Sequence, residues 1–231
     1  YPFAGSENAK VKLAVVGALG GEPVWMDLTA SGLIEPEYLA RVHWMHDGSL
    51  IAEVQDRAQM RLDLVRLDPR TGRGSIVLTE TSEVWINLHH IFHTFEDGSF
   101  LWASERTGFR HLYIIGADGE VTRQLTDGKW MVDGLTAVDI DNRLVYFMGT
   151  RDGVTEQHLY SVPLAGGEIR KITDEPGMHG CAIDRERKRF IDTFSRSDAP
   201  PTVRIRDLAT GAVLATLFDE TDPRIKALDL K

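Results

Sequence analysis

The feature that most limits what this chain can fold into is a spacing of 47 residues. Leu78-Thr79-Glu80, Leu125-Thr126-Asp127 and Ile172-Thr173-Asp174 recur at that interval. A second series, Leu64-Val65-Arg66, His111-Leu112-Tyr113 and His158-Leu159-Tyr160, lies earlier in each period and keeps the spacing of 47. A third, Asp47-Gly48, Asp97-Gly98 and Asp141-Asn142, is spaced by 50 and 44, as expected where loops between strands differ in length. Self-similarity at a fixed period of this size means one supersecondary unit stacked repeatedly on itself.

Each period reads as strands. Residues 99–104, 111–115 and 144–148 are short, apolar and rich in aromatic or β-branched side chains. Turn signals divide them at Asp97-Gly98, Asp118-Gly119, Asp152-Gly153 and Gly166-Gly167. Four short antiparallel strands every 40 to 50 residues are the mark of a propeller blade. The expected fold is therefore all-β, a β-propeller of four-stranded antiparallel blades. The blades fall at roughly 41–83, 84–128, 129–176 and 177–219, and the last has drifted furthest: residues 187–195 and 202–206 form its hairpin arms, and Thr210-Gly211 matches Thr71-Gly72. A partial blade precedes them, with strands at 11–18 and 24–28 around Gly20-Gly21. Residues 220–231 leave the pattern and read as a linker or short helix. Four blades and a piece make either a small closed ring or an arc of a larger one. An open arc would leave apolar blade faces bare, which favours further blades elsewhere in a parent chain. The start at Tyr1, without an initiator methionine, points the same way.

Composition removes several classes of partner. The net charge is -9 and no lysine- or arginine-rich run occurs, so neither nucleic acid nor an anionic membrane is expected. No stretch reaches the roughly 18 apolar residues of a membrane helix. The single cysteine, Cys181, excludes an intrachain disulfide and reads as a small buried hydrophobe.

Few side chains invite a chemical reading. His89, His90 and His93 form the one histidine cluster; in a strand His89 and His93 would share a face, but no acidic or cysteine ligand stands at useful spacing, so no metal is expected. Glu105 and Arg110 could act in acid–base chemistry but better suit an ion pair or hydrogen-bond network across a blade hairpin, and Arg106 reads as either solvated or bracing that hairpin. His111 and His158 occupy equivalent positions, and repetition implies a structural task done once per blade. Trp25, Trp44, Trp85, Trp102 and Trp130 are expected mostly in the core or between blades. Asp139-Ile140-Asp141-Asn142 lacks the full pattern of a calcium loop and reads as a turn.

The opening run Tyr1-Pro2-Phe3-Ala4-Gly5-Ser6-Glu7-Asn8, followed by Val11, resembles a segment of the dipeptidyl peptidase IV family, a branch of the prolyl oligopeptidase clan. Trp85-Ile86-Asn87-Leu88-His89 is similar to a motif between later blades of its bacterial members. Ser104-Glu105-Arg106-Thr107-Gly108-Phe109-Arg110-His111 resembles a blade motif. Asp192-Thr193-Phe194-Ser195 with Pro200-Pro201-Thr202-Val203 resembles the last blade before the catalytic domain. The resemblance implies the later half of an eight-bladed propeller, in a secreted or periplasmic serine peptidase that removes dipeptides ending in proline or alanine from peptide N-termini.

It also implies partners: a peptide substrate, a C-terminal α/β-hydrolase domain of the same parent chain, and a second copy in a homodimer. The nucleophile of that domain sits on a G-x-S-x-G elbow, which lifts the serine towards its base and oxyanion donors. No such elbow occurs here, so no catalytic residue and no cofactor is expected in this chain, which should be inactive alone. The paired glutamates that bind the substrate amine would lie upstream of Tyr1. In mammalian members the loop after the tryptophan lends an aromatic and an arginine to the pocket wall. The matching positions are His89 and His90, where neither residue type is kept. Two other classes stay open: a free-standing propeller that scaffolds protein complexes, and a metal-dependent propeller hydrolase.

Overall fold

The computed structural model describes residues 3, 5–7, 9–32, 38–219 and 224. The expected tail at 220–231 therefore falls almost wholly outside the described residues, as do Tyr1, Pro2, Ala4 and Asn8 of the opening run. A short hairpin, β1 (Ala14–Val15) with β2 (Val24–Trp25), leads into a 3-10 turn at Leu28–Ser31. The turn is capped by Asp27, whose carboxylate accepts the Thr29 N–H at 3.0 Å. These strands are much shorter than 11–18 and 24–28.

Four antiparallel four-stranded sheets follow. The first holds β3 (Tyr38–Trp44), β4 (Leu50–Gln55), β5 (Arg61–Leu67) and β6 (Gly74–Thr81). The second holds β7 (Phe92–Thr94), β8 (Phe100–Ser104), β9 (His111–Ile115) and β10 (Val121–Gln124). The third holds β11 (Val132–Asp139), β12 (Leu144–Gly149), β13 (His158–Pro163) and β14 (Arg170–Lys171). The fourth holds β15 (Met178–Ile183), β16 (Arg189–Arg196), β17 (Ala199–Asp207) and β18 (Val213–Asp219). In every sheet spatial order follows chain order, the meander of a propeller blade. Local chemistry sets the turns. Asp47 accepts both the Ser49 N–H (2.9 Å) and its hydroxyl (2.6 Å), and Asp97 does the same for Ser99 (3.0 and 2.6 Å).

The chain divides into two compact units: Tyr1–His89 with His93–Leu101 and Ile114–Thr122, and His90–Phe92 with Trp102–Tyr113 and Arg123–Lys231. In the first unit, Met26, Leu28, Leu50, Ala52, Val54, Val65 and Leu67 form a core, with Leu13, Val15 and Val24 of the hairpin packed on it. The hairpin thus covers one face of the first sheet, and β4 is buried at all six positions. In the second unit, Tyr146, Met148, Leu159, Ile172, Phe190 and Leu208 join the third and fourth sheets. β12 is buried on both faces apart from half-buried Leu144.

The sheets interlock through a glycine and an arginine. Gly119 (φ 87°) sits so close to β6 that a Cβ would lie 1.7 Å from the Val77 carbonyl; at Gly211 (φ 76°) it would lie 2.4 Å from the Ile172 carbonyl. Gly72 makes the same approach to the Trp25 carbonyl in β2. In the reverse direction Arg123 donates to the Leu164 carbonyl (3.1 Å), and Arg170 to those of Ala209 (2.5 Å) and Leu208 (3.2 Å).

The fourth sheet breaks the pattern. β16 alternates, with Phe190, Asp192 and Phe194 buried and Arg189, Ile191 and Thr193 exposed. Ile191 pairs with Ala182 and Ile205, and Thr193 with Val203, so that face carries a continuous aliphatic strip. All seven residues of β18 are exposed.

Candidate functional site

The loop joining β6 to β7 carries the two residues expected on a pocket wall. Its course is fixed by the turn between β4 and β5: Ser82 N–H donates to the Met60 carbonyl (2.9 Å) and Ile86 N–H to the Gln59 carbonyl (2.7 Å). Trp85 is 60% exposed and donates its indole N–H to Asn87 Oδ1 at 3.0 Å. His89 is half-buried and His90 exposed. Neither lies in a strand; His93 does, in β7, where its ring meets Phe95 edge-on at 5.2 Å. The strand face shared by His89 and His93 therefore does not form. Among the described residues no group of three histidine, cysteine, aspartate or glutamate side chains is placed to hold a metal ion.

The other singled-out residues fall into structural places. Arg110 donates to Glu105 at 3.0 Å across its hairpin. Arg106 donates to Ser104 Oγ at 2.9 Å and lies over the Tyr113 ring at 4.9 Å. Asp139 caps its turn, accepting the Asn142 N–H at 3.1 Å. The tryptophans depart from expectation. Trp102 is buried and Trp130 stacks on Phe147 at 6.1 Å, whereas Trp25 and Trp44, like Trp85, stand 60% exposed. Edge and loop positions leave those three rings half in solvent, as their amphipathic character tolerates.

His111 and His158 do perform one repeated task. Each is fully buried. The His111 Nδ1 meets Thr126 Oγ1 at 3.1 Å and His158 Nδ1 meets Thr173 Oγ1 at 3.0 Å. The same hydroxyls accept the N–H of Leu112 (2.9 Å) and Leu159 (3.1 Å). In the first sheet the counterpart is Asp63, which accepts the Thr79 hydroxyl at 2.6 Å, and not Leu64 as the spacing suggests. A bulge between Leu64 and Val65 shifts the register by one residue.

Sequence reasoning missed a buried charged network in the fourth sheet. Asp192 on β16 accepts from His179 on β15 (2.8 Å) and from Arg206 on β17 (2.9 Å). Arg206 also donates to Asp174 (2.8 Å) and to the Gly211 carbonyl (2.7 Å). Arg204 pairs with Glu175. Burial pushes the Asp192 carboxyl up, but the hydrogen bond and charge of His179 and those of Arg206 outweigh it, holding it below the usual carboxylate range. Cys181 donates to Asp192 over 3.8 Å; burial, then the aspartate charge, pushes its thiol up, so it is a poor nucleophile. Both ring nitrogens of His179 are engaged, one by Asp192 and one by the Glu175 carbonyl at 2.8 Å, so the imidazole is not free to serve that thiol as a base. The one available signal was a pair of opposite charges, Asp192 and Arg206, at inward positions of the two hairpin arms. Asp174, Glu175, Arg204 and Arg206 line a cleft of about 330 Å³ beside the turn at Thr210.

The chain is similar to known proteins over most of its length. The family model described as dipeptidyl peptidase IV (DPP IV) N-terminal region matches residues 1–201. Dipeptidyl peptidase 8 of Homo sapiens is 30% identical over 96% of this chain and 33% of its own length. A probable dipeptidyl-aminopeptidase B of Colletotrichum graminicola is 29% identical over 75% of this chain and 20% of its own. The crystal structure of Porphyromonas gingivalis dipeptidyl peptidase 4 superposes with a TM-score of 0.86 at 21% identity, covering all of this chain and 33% of that one. The chain thus spans about a third of the length of these relatives or less.

Proposed function

Because this chain belongs to the family of dipeptidyl peptidase IV N-terminal regions, we propose that it is the propeller portion of a secreted or periplasmic serine exopeptidase, which releases dipeptides ending in proline or alanine. The family match over residues 1–201 carries this reading, supported by relatives that are dipeptidyl peptidases and are about three times as long. The nucleophile, base and oxyanion donors belong to a hydrolase domain of the same polypeptide, since this chain holds no nucleophile elbow. The propeller restricts entry to chain ends and short peptides and supplies part of the pocket wall. His89 and His90 are its contribution, carried on a loop tied to the neighbouring turn. Further blades of the parent cover the aliphatic strip of the fourth sheet, as the hairpin covers the first, and two copies pair as a homodimer.

The test is enzymatic. The purified 231-residue chain is expected to leave Xaa-Pro p-nitroanilides intact. The longer polypeptide that carries it is expected to release the N-terminal dipeptide with one serine titrated per chain. In that polypeptide, His89→Ala with His90→Ala should raise KM severalfold and leave kcat within about twofold. Turnover by the short chain, or a long chain inert towards N-terminal dipeptides, would overturn the reading in favour of a binding propeller.

A further inference from the structure

The aromatic side chains of the second unit run in a row: His111 to Trp130 (5.0 Å), Trp130 to Tyr160 (6.3 Å), Tyr160 to His158 (6.2 Å), His158 to His179 (5.1 Å) and His179 to Phe194 (4.7 Å), between ring centroids. Three histidines stand in this row with different partners, and their hydrogen bonds assign their protons. His111 Nε2 faces the Gly128 carbonyl at 3.0 Å and must donate, so its Nδ1 accepts the Thr126 hydroxyl. His158 repeats this, with Nε2 donating to Glu156 at 2.8 Å and Nδ1 accepting from Thr173. One proton on each ring completes this pattern. His179 has Asp192 where the others have threonine. With Asp192 on Nδ1 and the Glu175 carbonyl on Nε2, its ring satisfies both contacts only when it carries both protons.

The neutral His158 and the cationic His179 sit ring to ring, both buried, at the seam between the third and fourth sheets. Backbone bonds cross the seam beside them: Gln157 N–H to the Gly177 carbonyl and His179 N–H to the Gln157 carbonyl, each 3.0 Å. We propose that the His158–His179 pair is an acid-sensitive latch on this seam, closed while His158 is neutral and released when it gains a second proton. A proton on His158 sets two cations 5.1 Å apart where water does not screen them. It also turns the Thr173-facing nitrogen from acceptor to donor. Among the described residues, Glu156, Lys171 and the Tyr160 ring stand around His158, and Asp192 and the Glu175 carbonyl around His179, with Cys181 and Arg206 reaching Asp192 behind it. Burial first, then the charges of Lys171 and His179, hold His158 below the ordinary imidazole range against the opposing pull of Glu156. Opening therefore takes up a proton: the closed seam is fully stable above the ordinary value of 6.5 and loses stability as pH falls from there.

Hydrogen exchange read by NMR on the intact chain tests this. Protection of the Gln157 and His179 amides should fall at least about tenfold between pH 7.5 and 5.5, after correction for intrinsic exchange, while amides of β4 hold theirs. His158→Gln, which keeps an amide donor towards Glu156, should abolish the fall. Imidazole nitrogen shifts of the unaltered chain at pH 7.5 should show His158 with one protonated nitrogen and His179 with two. A bare nitrogen on His179, or undiminished protection at pH 5.5, overturns the latch even if His158→Gln fails to fold.

Discussion

Thr173 is fully buried and does two jobs with one oxygen, accepting the Leu159 N–H and engaging His158. Thr173→Val keeps the shape and removes both bonds. Leaving a buried N–H unpaired costs about 1–3 kcal/mol, so urea denaturation should show a loss in that range, and a change within experimental scatter would contradict the assignment. Asp192 is a stronger case, because Arg206 and His179 are both buried against it. Asp192→Asn removes the buried negative charge between His179 and Arg206, although Arg206 keeps Asp174 and the Gly211 carbonyl, and should destabilise by roughly 3–5 kcal/mol or prevent folding. The sign of its pH dependence follows from its lowered range. The unfolded chain takes up this proton before the folded one, so the stability Asp192 contributes is present above the ordinary value of 3.8 and is lost as acid passes its folded value. An acid titration of Asp192→Asn should lack that component.

Among the elements, the interlock between sheets offers a contrast between two glycines of like backbone. Gly48 and Gly119 both have positive φ, 79° and 87°. A Cβ on Gly48 meets nothing within 4 Å, whereas one on Gly119 strikes the Val77 carbonyl. Gly48→Ala should cost only the left-handed backbone penalty of about 1–2 kcal/mol. Gly119→Ala should cost clearly more in thermal denaturation, and equal losses would mean that the approach to β6 is not tight. Much of this level was legible beforehand. The 47-residue spacing and the Asp-Gly turns announce four-stranded units because turn chemistry is local and strand alternation is periodic. The bulge at Leu64 was not legible: a one-residue slip in pairing leaves no mark in composition, so Asp63 hid behind Leu64. Nor were the exposures of Trp25, Trp44 and Trp85, since ring size speaks for burial and only the edge position decides it. The link from Asp192 to His179 and Arg206 joins three strands, and no spacing rule connects them.

For the molecule as a whole, the aliphatic strip of exposed Ile191 with half-buried Val203 and Ile205 sets solution behaviour. An aliphatic sheet face without a cover associates. The isolated chain should grow in mass with concentration in analytical ultracentrifugation, and Ile191→Lys with Val203→Lys should shift it towards monomer. A chain that sediments as a monomer at every concentration, before any substitution, would show that the strip is already covered by its own residues. Sequence alone conveyed the repeat, the leading piece and the prospect of a bare blade face; that the hairpin packs on the first sheet, and which residues line the open face of the last, only the fold shows.

The glycine notches also point one way along the polypeptide. Gly72 rests on Trp25, Gly119 on Val77 and Gly211 on Ile172, so each notch finds its seat on a segment made earlier. A ribosome delivers the seat before the part that needs it. The first, second and fourth sheets thus leave the exit tunnel to meet a seat already made, while the contacts of Arg123 and Arg170 close only when the later turns arrive.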